Sequence, residues 1–103
     1  MVSGRSPLHL AVINDKPEVV KILLKANAYL EHRDHVRGQT PLSEAAEYGL
    51  ADIIRMLLET REEVSAADVE TRSSAGLAPL HWACRFNSPD SVRILLSAGA
   101  DPD

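Results

Sequence analysis

The chain is a series of short apolar-faced segments separated by polar breaks. In "TPLSEAAEYG", Leu42, Ala45 and Ala46 fall at i, i+3 and i+4, the spacing of one buried helical face. Thr40 can cap this helix, Pro41 suits its first position, and Glu44 places an acid early in it. Gly49 ends the segment and can take the left-handed conformation found at helix C-termini. Asp15 and Asn87 hold the same place elsewhere and tolerate that conformation better than most residues. A second kind of segment follows each break: Val19-Val20-x-Ile22-Leu23-Leu24, Ile53-Ile54-x-Met56-Leu57-Leu58 and Val92-x-Ile94-Leu95-Leu96. Their length and period predict core helices. Lys16-Pro17-Glu18 and Ser88-Pro89-Asp90 open two of them with proline in the first turn and an acid that the helix dipole favours. Asn27 and Gly99 can close two. Arg61 stands at that place in the middle one, which predicts a helix overrunning into "REEV" (61–64) or ending in an irregular turn.

These paired segments come three times. "GRSPLHLAVINDKPEVVKILLKANA" (4–28) and "GLAPLHWACRFNSPDSVRILLSAGA" (76–100) share Gly4, Pro7, Leu8, His9, Ala11, Pro17, Val20, Ile22, Leu23, Leu24, Ala26 and Ala28, each recurring 72 positions later. Between them, "GQTPLSEAAEYGLADIIRMLLE" (38–59) repeats Gly38, Pro41, Leu42, Ala45, Leu57 and Leu58 at a spacing of 34 from the first copy. The glycines that open the copies are 34 and 38 apart, slightly above the roughly 33-residue period of T-P-L-H-x-A repeats. With its TPLH-like starts, mid-repeat breaks and V/I-x-x-L-L runs, the chain resembles three ankyrin repeats over nearly its whole length. Repeat 1 covers about 4–37, repeat 2 about 38–75 with an inserted loop within 60–75, and repeat 3 about 76–103. The resemblance implies an all-α solenoid of helix–turn–helix units with short hairpin or loop fingers.

Composition agrees with one small globular domain. Of 103 residues, 45% are hydrophobic and only 4% aromatic, so the core is aliphatic. A net charge of −4 and scattered Lys and Arg argue against nucleic acid and anionic membranes, which need a cationic footprint. No apolar stretch approaches the roughly 18 residues of a membrane span, and no signal core opens the chain. A single cysteine forms no internal disulfide and points to an intracellular, reducing compartment, cytoplasmic or nuclear.

Candidate chemistry is sparse. His81 and Cys84 lie at i and i+3. Cys84 aligns with Val12 and Ala46, however, which reads as a small apolar packing position between helices rather than a nucleophile. His81 aligns with His9, the histidine that the resemblance makes a brace of the TPLH turn and a link between repeats. Four histidines and one cysteine never form a two-plus-two ligand spacing, so no metal is expected. The glycines are isolated, no serine sits in a nucleophile elbow, and Glu62 and Glu63 are adjacent and would diverge on a helix. No cofactor and no catalysis is expected.

The resemblance instead implies protein binding along a concave groove and the finger tips. Carried over position by position, the partner-binding residues are Arg5, Ile13, Asn14, His35, Arg37, Gln39, Glu47, Tyr48, Leu77, Trp82, Arg85 and Phe86. Trp82 reads equally as a packed ring and as a groove contact. Ile13, Tyr48 and Phe86 repeat an apolar or aromatic residue near the end of each first helix, with Arg5, Arg37 and Arg85 on the same side. Aromatics and arginine are typical of binding hot spots, and the expected partner is a protein or peptide with apolar and acidic character. The alternative is a structural spacer within a longer array. Neither end carries a polar cap repeat, which suits an excised segment or end-to-end stacking on another copy. Ser43 replaces the motif histidine and Ala78 the motif threonine, each expected to cost one bracing bond, about 1 kcal/mol. The insert reads as a neutral longer finger; the sharper readings are a partner-specific contact, or a phosphorylation site at Ser73 or Ser74.

Overall fold

The computed structural model describes residues 4–59 and 66–103. It contains helices α1 (Pro7–Ile13), α2 (Pro17–Lys25), α3 (Pro41–Glu47), α4 (Ala51–Leu58), α5 (Pro79–Arg85) and α6 (Pro89–Ser97), with no strand among the described residues. The short helices α1, α3 and α5 pack side by side as an inner row, and α2, α4 and α6 form an outer row behind them. The fingers are turns and loops. α4 stops at Leu58, and Glu59 is already extended. The expected overrun into 61–64 and the first part of the insert lie outside the described residues.

Each inner helix begins with proline at its first turn. Ser6 and Thr40 cap α1 and α3, their hydroxyls accepting from the backbone N–H of His9 (3.2 Å) and Ser43 (3.3 Å). Ala78 has no hydroxyl to offer α5; there only the histidine half of the brace remains, with His81 Nδ1 accepting from Ala78 N–H at 2.9 Å. The bond expected to be missing at Ser43 is replaced: its hydroxyl accepts from Gln39 Nε2 at 3.3 Å. The turns into the outer helices use a left-handed residue at Asp15, Gly49 and Asn87, with φ of 52°, 67° and 54°.

Between the two rows lies an aliphatic core of Leu8, Val12, Val20, Leu42, Ile53, Ile54, Leu57 and Leu95. Ala45, Ala46 and Ala83 are fully covered, and their small side chains let neighbouring inner helices approach closely. Cys84 is a correction. It holds the position of Val12 and Ala46, both sealed, yet it is exposed. Val12 and Ala46 are covered because another inner helix packs on their side of the row. Among the described residues no helix packs beyond α5, so the same position is open there. His81 is exposed for the same reason, whereas His9 is buried.

The folded protein is therefore expected to react with a disulfide reagent such as DTNB at the rate of an exposed thiol. Cys84→Ala should change stability by less than about 0.5 kcal/mol. A thiol that reacts only on unfolding would mean that this helix face is covered.

Candidate functional site

The inner row repeats its side-chain positions in register, so equivalent residues line up across three helices. Arg5, Gln39 and Leu77 form one line; Leu10, Glu44 and Trp82 a second; Ile13, Glu47 and Arg85 a third; Asn14, Tyr48 and Phe86 a fourth. The first line sits ahead of the helices. The others lie along one helical face, as i, i+3 and i+4 spacing requires.

Polar bonding consumes the repeat 1 and 2 part of this surface. Arg5 donates to Glu44 Oε2 at 3.1 Å, and Glu44 is only 1% exposed. Burial pushes the Glu44 carboxyl above the ordinary carboxylate value, and it outweighs the lowering pull of Arg5. Next along, Arg37 donates to Glu47 Oε2 at 2.8 Å, and Gln39 Nε2 donates to Glu47 Oε1 at 3.3 Å. Gln39 is a second correction: expected as a groove contact, it is 1% exposed. Its amide bonds Ser43 and Glu47, and its carbonyl lies 2.8 Å from His9 Nε2. Gln39 thus ties the start of α3 to repeat 1. Leu77 is half-buried and packs against the core instead of standing free. Asn14 is exposed but donates to the Leu10 carbonyl at 2.8 Å. His35 is exposed on its finger, with its ring against the backbone of Gly4.

Repeat 3 holds an aromatic and cationic cluster. Trp82 and Phe86 stack with centroids 6.2 Å apart and an interplanar angle of 5°. Arg37 and Arg85 place their guanidinium carbons 5.8 Å and 5.9 Å from the Trp82 centroid, within cation–π range. Arg85 is also 6.0 Å from Phe86. Trp82 itself is 6% exposed, so the packed-ring reading describes its body, while its neighbours form the surface. Tyr48 and Phe86 are 51% and 50% exposed, and Ile13 is half-buried.

Two buried residues, Asp34 and Ser73, organise the fingers from within. Asp34 is buried, and its Oδ1 accepts from the backbone N–H of Gln39 (2.8 Å) and Arg37 (3.3 Å), shaping the finger before α3. An aspartate a few residues ahead of Gly38 is the sequence signal for such a turn. Ser73 does the same in the next finger, accepting from Leu77 N–H at 3.3 Å, and is buried; of the two candidate serines only Ser74 is exposed. The fingers also bond each other: Ser74 N–H donates to the Arg37 carbonyl at 2.8 Å, and Arg33 donates to the Arg72 carbonyl and Thr71 hydroxyl. A side chain at Gly38 would put its Cβ 2.6 Å from Ser74 Oγ, and φ there is +67°, so this contact requires glycine.

Open clefts of about 380 Å³ lie elsewhere, one around the starts of the outer helices at Pro17, Leu50 and Asp90, another beside Leu10, Val19 and Leu23. Among the described residues no three His, Cys, Asp or Glu groups converge as a metal site would need. No hydrogen bond joins Cys84 to His81. Among the described residues no helix is long and apolar enough to cross a membrane.

A family model for ankyrin repeats, in three copies, matches residues 8–103. The chain belongs to the ankyrin-repeat family. Curated ankyrin-containing relatives include neurogenic locus notch homolog protein 1 of Mus musculus, 38% identical over 101 residues that make up 97% of this chain and 4% of that protein. B-cell lymphoma 3 protein of Homo sapiens is 37% identical over 99 residues, 96% of this chain and 21% of that protein. The chain thus spans a small part of the length of the relatives it matches. Ankyrin repeats generally mediate protein–protein interaction and are generally non-catalytic. The ankyrin register explains why the inner-row positions align in four lines and why their exposed members share one face.

Proposed function

We propose that this chain is a non-catalytic module that binds another protein through the groove along α1, α3 and α5 and the adjoining finger tips. The observation that carries this reading is the exposed pair Tyr48 and Phe86, set beside Arg37, Arg85 and the packed Trp82 on a scaffold of interlocked helices. Such a surface is preformed, so binding orders few side chains. Aromatic and arginine side chains contribute most to interface energy when they sit at its centre. Ile13, Asn14, His35 and the edge of Trp82 extend the contact toward repeat 1 and the fingers, while Arg5 and Glu47 support it from within their ion pairs. The partner is a protein or peptide surface with apolar and acidic character. The working place is inside the cell, where an exposed Cys84 stays reduced.

The test is a variant with Ile13, Tyr48 and Phe86 all changed to Ala, compared with the unchanged chain in capture from a cell extract. Circular dichroism should show both folded. Proteins retained by the unchanged chain should be lost at least tenfold from the variant. Equal capture by both would remove this groove from the binding surface and favour the spacer reading.

A further inference from the structure

The groove arginines are not equivalent. Arg5 is committed to Glu44 and Arg37 to Glu47. Arg85 is exposed, and among the described residues no carboxylate lies within ion-pair distance of it. Its position explains why. Glu47 is the residue equivalent to Arg85 one repeat earlier, so repeat 3 carries a cation where repeat 2 carries the balancing acid. Beside it, the indole Nε1 of Trp82 is buried and has no acceptor among the described residues. A guanidinium without an anion and an N–H without an acceptor therefore share one cluster, on a chain whose net charge is −4. The exposed Arg85 guanidinium lacks an oxygen acceptor with negative charge; the indole N–H is neutral and sealed from solvent, so Trp82 flanks the position without offering that donor to it.

We propose that the C-terminal end of α5 is a carboxylate subsite: an Asp or Glu side chain of a partner peptide seats on Arg85 beside Trp82, and an adjoining aromatic or aliphatic residue packs on Phe86 and Tyr48. This rests on the groove reading above and adds the chemistry and position of the contact. Arg37 flanks the subsite and keeps donors beyond its one bond to Glu47, so it assists without being uncovered. The chain's net negative charge limits the partner. A polyacidic tract brings several charges within the Debye length of roughly 8 Å of the chain's own acids and is repelled, whereas one acid embedded among apolar residues is repelled far less. The fitting motif is a single carboxylate within two positions of Phe, Tyr, Leu or Ile. A phosphate, with nearly two charges, asks for two uncommitted arginines and fits less well.

The experiment is selection of a random 12-residue peptide library on the immobilised chain, followed by titration of synthetic enriched peptides. The chain's single tryptophan is Trp82, so its fluorescence reports the subsite directly. Enriched peptides should share the single-acid motif and change Trp82 emission on binding. Replacing the peptide's acid by its amide, and Arg85→Gln in the chain, should each weaken binding about tenfold, with no further loss when combined. Arg85→Glu paired with Lys in the peptide should restore binding relative to either change alone. Enriched peptides that lack an acid, prefer phosphoserine to Glu, or bind Arg85→Gln as well as the unchanged chain overturn the subsite. If such peptides still lose binding to a Tyr48→Ala, Phe86→Ala variant, the groove reading stands and only the subsite falls. Peptides indifferent to both sets of changes, or a library that yields no binder, overturn both.

Discussion

Leu42→Ala is expected to remove about 3 kcal/mol of stability, measured as a shift of the urea midpoint followed by circular dichroism at unchanged slope. Leu42 is 0% exposed and lies in α3, which packs against both α1 and α5. Truncation leaves a cavity that three surrounding helices cannot close together. In a repeat stack, stability is the sum of weak single repeats and the interfaces between them. Damage to the middle repeat weakens two interfaces; damage to an outer one weakens one. Leu80→Ala, at the equivalent place in α5 and 7% exposed, should therefore cost less. With total stability of roughly 5–15 kcal/mol for a domain, the Leu42 variant loses a large share. A cost below about 1.5 kcal/mol, or a cost equal to that of Leu80→Ala, would show that the three repeats do not share stability in this way.

His9→Ala is expected to cost about 2–3 kcal/mol, while His81→Ala costs under about 1 kcal/mol, although the two histidines hold the same motif position. His9 is fully buried and bonded at both ring nitrogens. Nε2 faces the Gln39 carbonyl at 2.8 Å, and a carbonyl only accepts, so the proton sits on Nε2. Nδ1 is then the acceptor for Ser6 N–H at 3.1 Å. Removing the ring strands the Gln39 carbonyl in a buried site. His81 has only the Ala78 brace and is exposed.

The same geometry fixes a pH dependence. Burial lowers the His9 pKa below its ordinary 6.5, with Arg5 and His32 adding to the effect against Gln39 and Asp34. In the window below 6.5 the unfolded chain then binds a proton that the folded chain refuses, so this group's contribution is intact above pH 6.5 and lost as pH falls. Glu44 works the other way: its raised carboxyl makes stability fall as pH rises above 4.5. Comparing unfolding at pH 7 and pH 5 in the unchanged chain and in His9→Gln isolates the histidine. The variant should lose less stability on acidification; an equal or greater loss would mean that His9 is not held neutral.

Most of the scaffold was readable from the letters because local rules and tertiary packing agree there. Thr40, Pro41, Gly49 and the Leu-Leu pairs act through neighbours a few residues away, and such signals survive in one sequence. Covering by an adjacent repeat does not. Cys84 has the same helix position as Val12 and Ala46, yet differs from both because nothing described packs on its side. The ankyrin register makes Gln39 an exposed groove position, whereas Ser43 leaves room that its amide fills. Glu44 was read as an early helix acid, and only the pairing of α1 with α3 brings Arg5 to it. Within the groove, the aromatic and arginine positions were legible from repeat register. Which arginine is unpaired was not, since that depends on reach across two repeats.

Repeats 1 and 3 read almost as copies, yet they are not spare parts for each other. The fastener between repeats 1 and 2 is an imidazole on one side and the Gln39 carbonyl on the other. Ser43 stands where the next such imidazole would be, and the fingers ahead of α3 and α5 are joined instead by Ser74 to the Arg37 carbonyl, with Arg37 over Trp82 of α5. A cut at Gly38 falls before Gln39 and leaves half of the first fastener behind. For anyone recombining such arrays, the transferable cassette runs from Ser6 through Gln39: a helix pair together with the finger residue that receives it.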